Sequence, residues 1–446
     1  MGSKVLGSGF KIGLTSIHIL RKMESIMSVF KERKIADFAF SDEWLGNSML
    51  FIAGPRQCGK TSLARKFLEE KGCSSLYYNW DIEKVRSRYR KDPDFFVKEA
   101  SRLRIEKPYV VLDEIHKVTR WKNIIKGIYD EYQHLIRIIV TGSARLDLFR
   151  KSGDSLVGRY TMAHLFPFSL REWAGNINDT PSSWLYEDGD WKNMAKTFDA
   201  KLAESPSVSK ELAESYYRFG PFPAPLISGS EKRSRKWHRD YITLLVREDL
   251  RDLSGIRELD RVSHLVELLP GRVGSPLSLR SLGEDIEANH STVKNWLEAL
   301  HRLYLVWPLR PYTGKLHRTL RKEPKWYFLD WTFAASESNR FENMIASALY
   351  WFVTSLNDRG WPEVKLHFVR TYDKKEIDFI LTLNEKPVLA IEAKLTDAKF
   401  SPQLRRFRKA VDGKFPILQV VSQTGIFLRK GPGEYLVGYD RLLMVL

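Results

Sequence analysis

Residues 51–62 read Phe-Ile-Ala-Gly-Pro-Arg-Gln-Cys-Gly-Lys-Thr-Ser, an apolar run that ends in the spacing GxxxxGK[ST]. The two glycines let the backbone curl so that successive N–H groups, together with the positive end of the following helix dipole, face a phosphate. Leu63, Ala64, Phe67 and Leu68 then fall at helical spacing, so the loop is expected to join a strand to a helix, as the pattern requires. On this reading Gly54, Pro55, Arg56, Gln57, Cys58, Gly59, Lys60, Thr61 and Ser62 wrap the phosphates of a nucleoside triphosphate. Lys60 reaches the β- and γ-phosphates and Thr61 ligates Mg²⁺.

A second apolar run, Tyr109 to Leu112, ends in Asp113 and Glu114. A buried strand there delivers Asp113 to the Mg²⁺ shell, and Glu114 can polarise an attacking water. A third run from Ile136 offers Thr141 or Ser143 at its carboxyl end to sense the γ-phosphate. Strands alternating with helical stretches predict a parallel α/β sheet with the ligand at the strands' carboxyl ends. Arg145, Arg150 and Arg159 follow the third run, and an arginine near a γ-phosphate stabilises charge developing in phosphoryl transfer. Arg159 is the candidate finger, with an ordinary surface arginine as the alternative. The expected catalytic set is Lys60, Glu114, Ser143 and Arg159, with Thr61 and Asp113 on the metal and ATP and Mg²⁺ as cofactors.

The motifs Gly54 to Thr61, Leu112-Asp-Glu-Ile-His116 with Trp121 after it, Thr141-Gly-Ser143 and Gly158-Arg159-Tyr160 resemble those of a group of bacterial and archaeal ATPases. These are AAA-type proteins, related to the STAND and archaeal ATPase groups, with a characteristic C-terminal domain of unknown function. Phe166-Pro-Phe-Ser-Leu-Arg-Glu-Trp173 and Gly220-Pro-Phe-Pro223 look like that family's post-sensor segment and glycine-x-proline element. In the family a second glycine usually precedes the latter, whereas here Phe219 does. The resemblance implies adenine as the base and assembly into an oligomer, a hexameric ring among the options, in which Arg159 reaches a neighbour's nucleotide.

Seventy-two basic against 55 acidic residues leave a net charge of +17, which favours an anionic partner, nucleic acid above all. A basic surface without a ligand is the competing reading. The two cysteines, Cys58 and Cys73, exclude a disulfide scaffold and fit a reducing, cytoplasmic setting. No stretch approaches the roughly 20 apolar residues that cross a bilayer, so no membrane partner is expected.

A polar stretch from Ala174 to Ser215, with Trp173, Trp184 and Trp191, reads as an insert or lid, and Glu231 to Leu253 as a basic helix. Ser278 to Ile286 and Ser291 to Leu303 form a helix-turn-helix pattern, with Val293, Trp296, Leu297, Leu300 and Leu303 on one buried face. The opposite face presents Thr292, Lys294 and Asn295, positions that approach base edges in such motifs, and Arg318, Arg321 and Lys322 supply a basic wing. The pattern resembles a winged helix, which serves either DNA or protein contact.

Alternating strands are expected at 364–370, 376–383, 387–395 and 416–421. Side chains two apart project together, so Glu376 and Asp378 share a face, as do Glu392 and Lys394. The Asp-x(n)-Glu-x-Lys order resembles the PD-(D/E)xK nucleases, including archaeal Holliday-junction resolvases, and Glu342 matches the extra acidic residue of a resolvase-like subset. The resemblance implies that Asp378 and Glu392 hold a metal, Glu342 assists and Lys394 orients or deprotonates the attacking water. Ion pairs on a structural sheet are the competing reading.

The expected architecture is α/β: an N-terminal helical segment (1–46), a P-loop NTPase parallel sheet of AAA type (47–175), a helical lid or insert (176–255), a winged helix (256–335) and a restriction-endonuclease-like α/β domain (336–446). The expected function is an ATP-hydrolysing, DNA-binding motor or switch acting on branched or structured DNA. An oligomerising switch that engages a protein partner and an ATP-gated, metal-dependent nuclease are the alternatives.

Overall fold

The computed structural model describes residues 31–446 apart from 47, 144–145, 147–155, 157, 177–183, 186–190, 252–255, 257, 313–322, 371–374 and 397–398. Arg145, Arg150, Arg318, Arg321 and Lys322, named above, lie outside the described residues. So does most of the N-terminal segment.

Five strands form a first sheet: β1 (Met49–Ala53), β2 (Tyr77–Asn79), β3 (Tyr109–Asp113), β4 (Arg137–Gly142) and β5 (Tyr160–His164). All neighbours run parallel in the order β2-β3-β4-β1-β5. Every residue of β1 and β3 is buried, the continuous apolar character of strands covered on both faces. β4 lies between the other two, with Thr141 beside both Ile52 and Asp113, so the three motif-bearing segments leave the sheet at one edge. Helices α1 (Lys60–Glu70) and α2 (Trp121–Tyr132) pack on this sheet through Leu63, Ala64, Phe67 and Leu68 and through Trp121, Ile125, Ile128 and Tyr129.

Arg33, 5% exposed, pins the segment ahead of the sheet to both sides of the phosphate loop. Its Nε pairs with Glu172 at 3.1 Å in α3 (Leu170–Ala174), and Nη1 donates to the Cys58 carbonyl at 2.8 Å. Nη2 donates to the Phe166 carbonyl, and the guanidinium stacks 4.7 Å over Phe168. Glu172 also closes a capping box with Ser169, so the same carboxylate starts α3 and holds Arg33.

Beyond residue 165 the chain forms one large core and a smaller one around Ile380, Phe407 and Ile417. Helix α4 (Trp191–Glu204), in the stretch expected as an insert or lid, packs on the C-terminal sheet. Trp184 stacks on Phe352 and Phe198 meets Tyr435, while Arg429 reaches Asp199 with two bonds of 2.9 Å. The reason is apolar: Trp184, Met194, Phe198 and Leu202 are buried and need a hydrophobic face, which the C-terminal sheet presents.

Next come α5 (Lys210–Phe219), α6 (Glu231–Leu244) with a π-turn at Leu245–Asp249, α7 (Leu259–Leu268), α8 (Leu279–Asp285) and α9 (His290–Arg302). The second sheet has eight strands in the order β12-β13-β11-β10-β9-β8-β6-β7. They are β6 (Val306–Pro311), β7 (Lys325–Phe328), β8 (Val364–Arg370), β9 (Glu376–Leu383), β10 (Lys386–Lys394), β11 (Ile417–Val421), β12 (Phe427–Gly431) and β13 (Glu434–Gly438). The hairpin β6–β7 that follows α9 joins this sheet through parallel pairing of Arg310 with His367 and Pro311 with Phe368. The boundary expected at 335/336 therefore divides neither the sheet nor its core. Helix α10 (Glu337–Asp358) covers one face, α11 (Pro402–Ala410) packs through Leu404 and Phe407, and α12 (Tyr439–Val445) closes the chain.

α10 also reaches the first sheet. Asp358 accepts from the His164 backbone N–H and its carboxylate lies 2.8 Å from His164 Nδ1 at the end of β5.

Removing one partner of a buried ion pair strands the other, so Arg33→Met is expected to destabilise the region of the first sheet by about 3 kcal/mol. Denaturant unfolding measures this, and Arg33→Met combined with Glu172→Leu is expected to recover part of the loss.

Candidate functional site

The phosphate loop forms as its sequence requires. Gly54 has φ +154°, and a Cβ there would lie 2.1 Å from the Leu165 carbonyl oxygen, so only glycine fits against the strand end. Gly59, at φ +107°, is the left-handed residue that turns the chain into α1. Cys58 is buried, its Sγ 3.2 Å from the Leu165 carbonyl, a packing position rather than an exposed thiol. Lys60 is nearly buried and its Nζ donates to the carbonyls of Gly54 at 2.9 Å and Pro55 at 2.7 Å. Thr61 and Ser62 begin α1 exposed at the mouth of the loop.

Asp113 is the meeting point of the site. Its Oδ2 accepts from the Thr61 hydroxyl at 3.0 Å and from Tyr77, and its Oδ1 accepts from Thr141. Asp113 is 2% exposed, so these donors offset the cost of burying its charge. Thr61 and Asp113 thus offer a hydroxyl and a carboxylate side by side, the hard oxygen donors that suit Mg²⁺.

Glu114 follows with φ +58°, and its backbone N–H bonds to the Thr141 carbonyl. A left-handed conformation of this kind is uncommon for glutamate. Its Oε2 lies 3.3 Å from His116 Nε2, which in turn lies 3.5 Å from the Ser143 hydroxyl. The histidine packs so closely that a Cβ on Gly142 would come within 2.7 Å of its Nδ1, which explains a glycine between Thr141 and Ser143. Burial pushes the Glu114 carboxyl above the ordinary glutamate range, with Lys60 pulling the other way and Asp113 adding to the rise.

Arg159 stands elsewhere. It precedes β5 at the sheet's amino edge, where its carbonyl accepts from Met49 N–H and its Nε donates to Asp130 at 2.8 Å. β1 runs from that edge to the phosphate loop, so Arg159 lies at the opposite end of the sheet from its own loop.

The loop is also gripped from the side. Arg56 pairs with Asp249 in the π-turn after α6, and Gln57 Oε1 accepts from Trp237 Nε1 of α6 at 2.6 Å. Of the segment expected as a lid, these residues approach the loop. Gly220 does not: at φ +78° it fits against Asp330, whose Oδ1 would lie 2.6 Å from a Cβ.

In the second half, α8 and α9 form the expected helix pair. Asn289 caps α9 by accepting from Thr292 N–H at 2.8 Å, Val293, Trp296, Leu297, Leu300 and Leu303 are buried, and Lys294 and Asn295 are exposed with Thr292 partly so.

The acidic residues of the C-terminal sheet are distributed differently from the nuclease pattern. Glu342, Glu376 and Asp378 bring carboxylate oxygens within 4.8 Å of one another. Glu392 is outside that group and pairs with Lys394 at 2.7 Å. Lys325, wholly buried, contacts all three clustered acids. Burial, with Glu342 beside it, pushes the Asp378 carboxyl up to about 8.

Sequence reasoning passed over Tyr77, His116, Trp237 and Asp249. His116 lies within a quoted motif and so was within reach, whereas the other three stand far along the chain from the groups they meet. Lys325, which the sequence places with the basic residues of the wing, is instead buried against three acids.

A family model described as an AAA domain matches residues 46–174, and one described as a domain of unknown function matches 210–342. Among curated proteins, an uncharacterised protein of Methanocaldococcus jannaschii is 26% identical over 332 residues, covering 70% of this chain and 68% of that protein. An uncharacterised protein of Mycobacterium tuberculosis is 22% identical over 283 residues, covering 63% of this chain and 54% of its own length. The chain therefore spans about half of the mycobacterial relative. Solved structures of Caenorhabditis elegans PCH-2 (15% identity, covering 64% of this chain and 68% of that one) and of Drosophila ORC bound to DNA (12%, 67% and 92%) superpose with TM-scores of only 0.23 and 0.24. Scores that low carry nothing about fold or partners. The matched AAA domain and the assembled loop make this region an AAA-type P-loop domain.

The roles expected from the sequence give three outcomes. With Glu114 as the base, Glu114→Gln is expected to lower ATP turnover at least about 100-fold while nucleotide still binds, because a positioned base contributes roughly that factor; with Lys60 on the phosphates, Lys60→Ala is expected to lose nucleotide binding itself. A base acts only when ionised, so in that role turnover would be lost as pH falls through the raised pKa of Glu114, at a higher pH than an ordinary glutamate would give; a kcat–pH profile reads the limb. Separately, the folded chain keeps a proton on Asp378 that the unfolded chain releases near 3.8, so stability falls as pH rises from there to about 8. Asp378→Asn is expected to flatten that decline in a series of thermal midpoints.

Proposed function

We propose that this protein is an ATP-hydrolysing switch or motor whose nucleotide state is passed to a DNA-binding C-terminal half. The observation that carries the reading is the convergence at one sheet edge of Lys60, the Thr61–Asp113–Thr141 knot and the Glu114–His116–Ser143 chain.

Lys60 moves from the loop carbonyls onto the β- and γ-phosphates, an exchange of neutral acceptors for anionic ones. The loop N–H groups of residues 54–62 and the amino end of α1 hold the rest of the phosphate chain. Mg²⁺, held by Thr61 and Asp113, would neutralise phosphate charge. Glu114 takes a proton from the attacking water, and Ser143, through His116, links that carboxylate to the γ-phosphate side of the site. Arg159 is remote from its own loop, so as a finger it serves the nucleotide of an adjoining subunit, which makes a homo-oligomer, a hexameric ring among the forms, part of the proposal.

The contacts Arg56–Asp249 and Gln57–Trp237 join the loop to α6, which leads into the helices of the DNA-reading candidate. α7 to α9 with the β6–β7 hairpin have the order of a winged helix. Thr292, Lys294 and Asn295 stand exposed or partly exposed where α9 would enter a groove, and the chain's +17 charge supports an anionic partner. Branched or structured DNA is the substrate class we favour, on the resemblance to resolvases of the C-terminal strands.

The test is ATP turnover with single-stranded, duplex and four-way-junction DNA at two salt concentrations. One DNA form is expected to stimulate the wild type and not Glu114→Gln, with stimulation weakened by salt. Lys294→Ala is expected to reduce DNA affinity and to lower the logarithmic salt slope by about one. Turnover indifferent to every DNA would transfer the C-terminal half to a protein partner.

A further inference from the structure

Lys325 opens β7, and its side chain has no exposed surface. A lysine ammonium is strongly hydrated in water and stays charged in an interior only where anions surround it. Here they come from two other elements. Glu342 of α10 places Oε1 2.9 Å from Nζ and Glu376 of β9 touches it directly, while the Asp378 carboxyl, protonated below about pH 8, stands with Oδ1 3.9 Å away.

Each acid also has a second protein partner. The same Glu342 Oε1 accepts from the Tyr327 hydroxyl at 2.6 Å, Glu376 pairs with Arg370 at 3.2 Å, and Asp378 accepts from the Ala393 backbone N–H at 2.9 Å. Three carboxylates whose oxygens lie within 4.8 Å of one another could gather around a small divalent ion. Their centre already contains a positive charge, tethered to a strand that is hydrogen-bonded to β6. A metal entering the cluster would sit against an ammonium that has no open route to solvent. The residues present therefore do not fit the metal-dependent centre that the nuclease resemblance implies, and Glu392, the further acid of that pattern, is engaged with Lys394.

We propose that Lys325 is the built-in cation of this acidic centre. It closes the centre to divalent metal and fastens α10 and β9 to the β6–β7 hairpin. The region then serves as a rigid support for the hairpin rather than as a phosphodiester-cleaving site. This inference stands apart from the ATPase reading and does not rest on it.

Mn²⁺ binding to the full chain without nucleotide, followed by electron paramagnetic resonance of the free ion, tests it. Wild type and Asp378→Asn are expected to bind the same amount of Mn²⁺, because the cluster takes none. Lys325→Met, which keeps length and apolar bulk but removes the charge, is expected to bind one more Mn²⁺ per chain, and that gain is expected to vanish when Asp378→Asn is added. Wild-type uptake of one Mn²⁺ that Asp378→Asn abolishes would overturn the proposal, as would a folded Lys325→Met chain that gains none. Should circular dichroism show Lys325→Met unfolded, Lys325→Met with Glu376→Gln, which carries one negative charge fewer, takes its place under the same two criteria.

Discussion

Asp113 is a carboxylate buried at the end of a strand covered on both faces, and the nucleotide site is organised around keeping it hydrogen-bonded. Its partners come from α1, β2 and β4, so the phosphate loop, the edge of the sheet and its central strand are tied through one group. A buried anion left unpaired is expensive, which makes this knot sensitive to the placement of all three elements. The position of β4 between β1 and β3 makes it achievable, because Thr141 then lies level with both the loop strand and Asp113.

The same loop is held from behind and from the side by the rest of the chain. Arg33 reaches Cys58, Phe166 and Glu172 at once, while Arg56 and Gln57 are taken by Asp249 and Trp237. A loop contacted in this way cannot change its shape around phosphate without affecting α6 and the π-turn after it. π-turns are infrequent and cluster where helices serve function, and this one carries Asp249. His164 and Asp358 add a second link, between the last strand of the first sheet and the long helix of the second half.

The hairpin after α9 joins β8 through two residue pairs at the end of β6, Arg310 with His367 and Pro311 with Phe368, and Lys325 fixes it to α10 and β9 by charge. β7 is the terminal strand of the eight, and all four of its residues are buried, so this edge of the sheet is covered by the surrounding chain.

Local pattern alone determined much of this protein. Gly54, Gly59 and Lys60 specify a loop by steric and dipole requirements that act within a dozen residues, and the apolar runs ending at Asp113 and near Ser143 specify the strands that flank it. The helical spacing of Val293, Trp296, Leu297, Leu300 and Leu303 likewise announces a helix with one buried face. What residues far apart in sequence do to one another required the tertiary structure. Nothing near Lys325 in the chain shows that it fills the space between Glu342, Glu376 and Asp378, and the spacing of Glu392 and Lys394 gives no sign that they pair with each other instead of joining that cluster. Trp184 reads only as part of an insert or lid until the C-terminal sheet offers it and Phe198 a face to bury against. Periodicity records which side of an element avoids water, but the partner that covers it, and the charge that balances a buried group, are decided only when the chain has closed on itself.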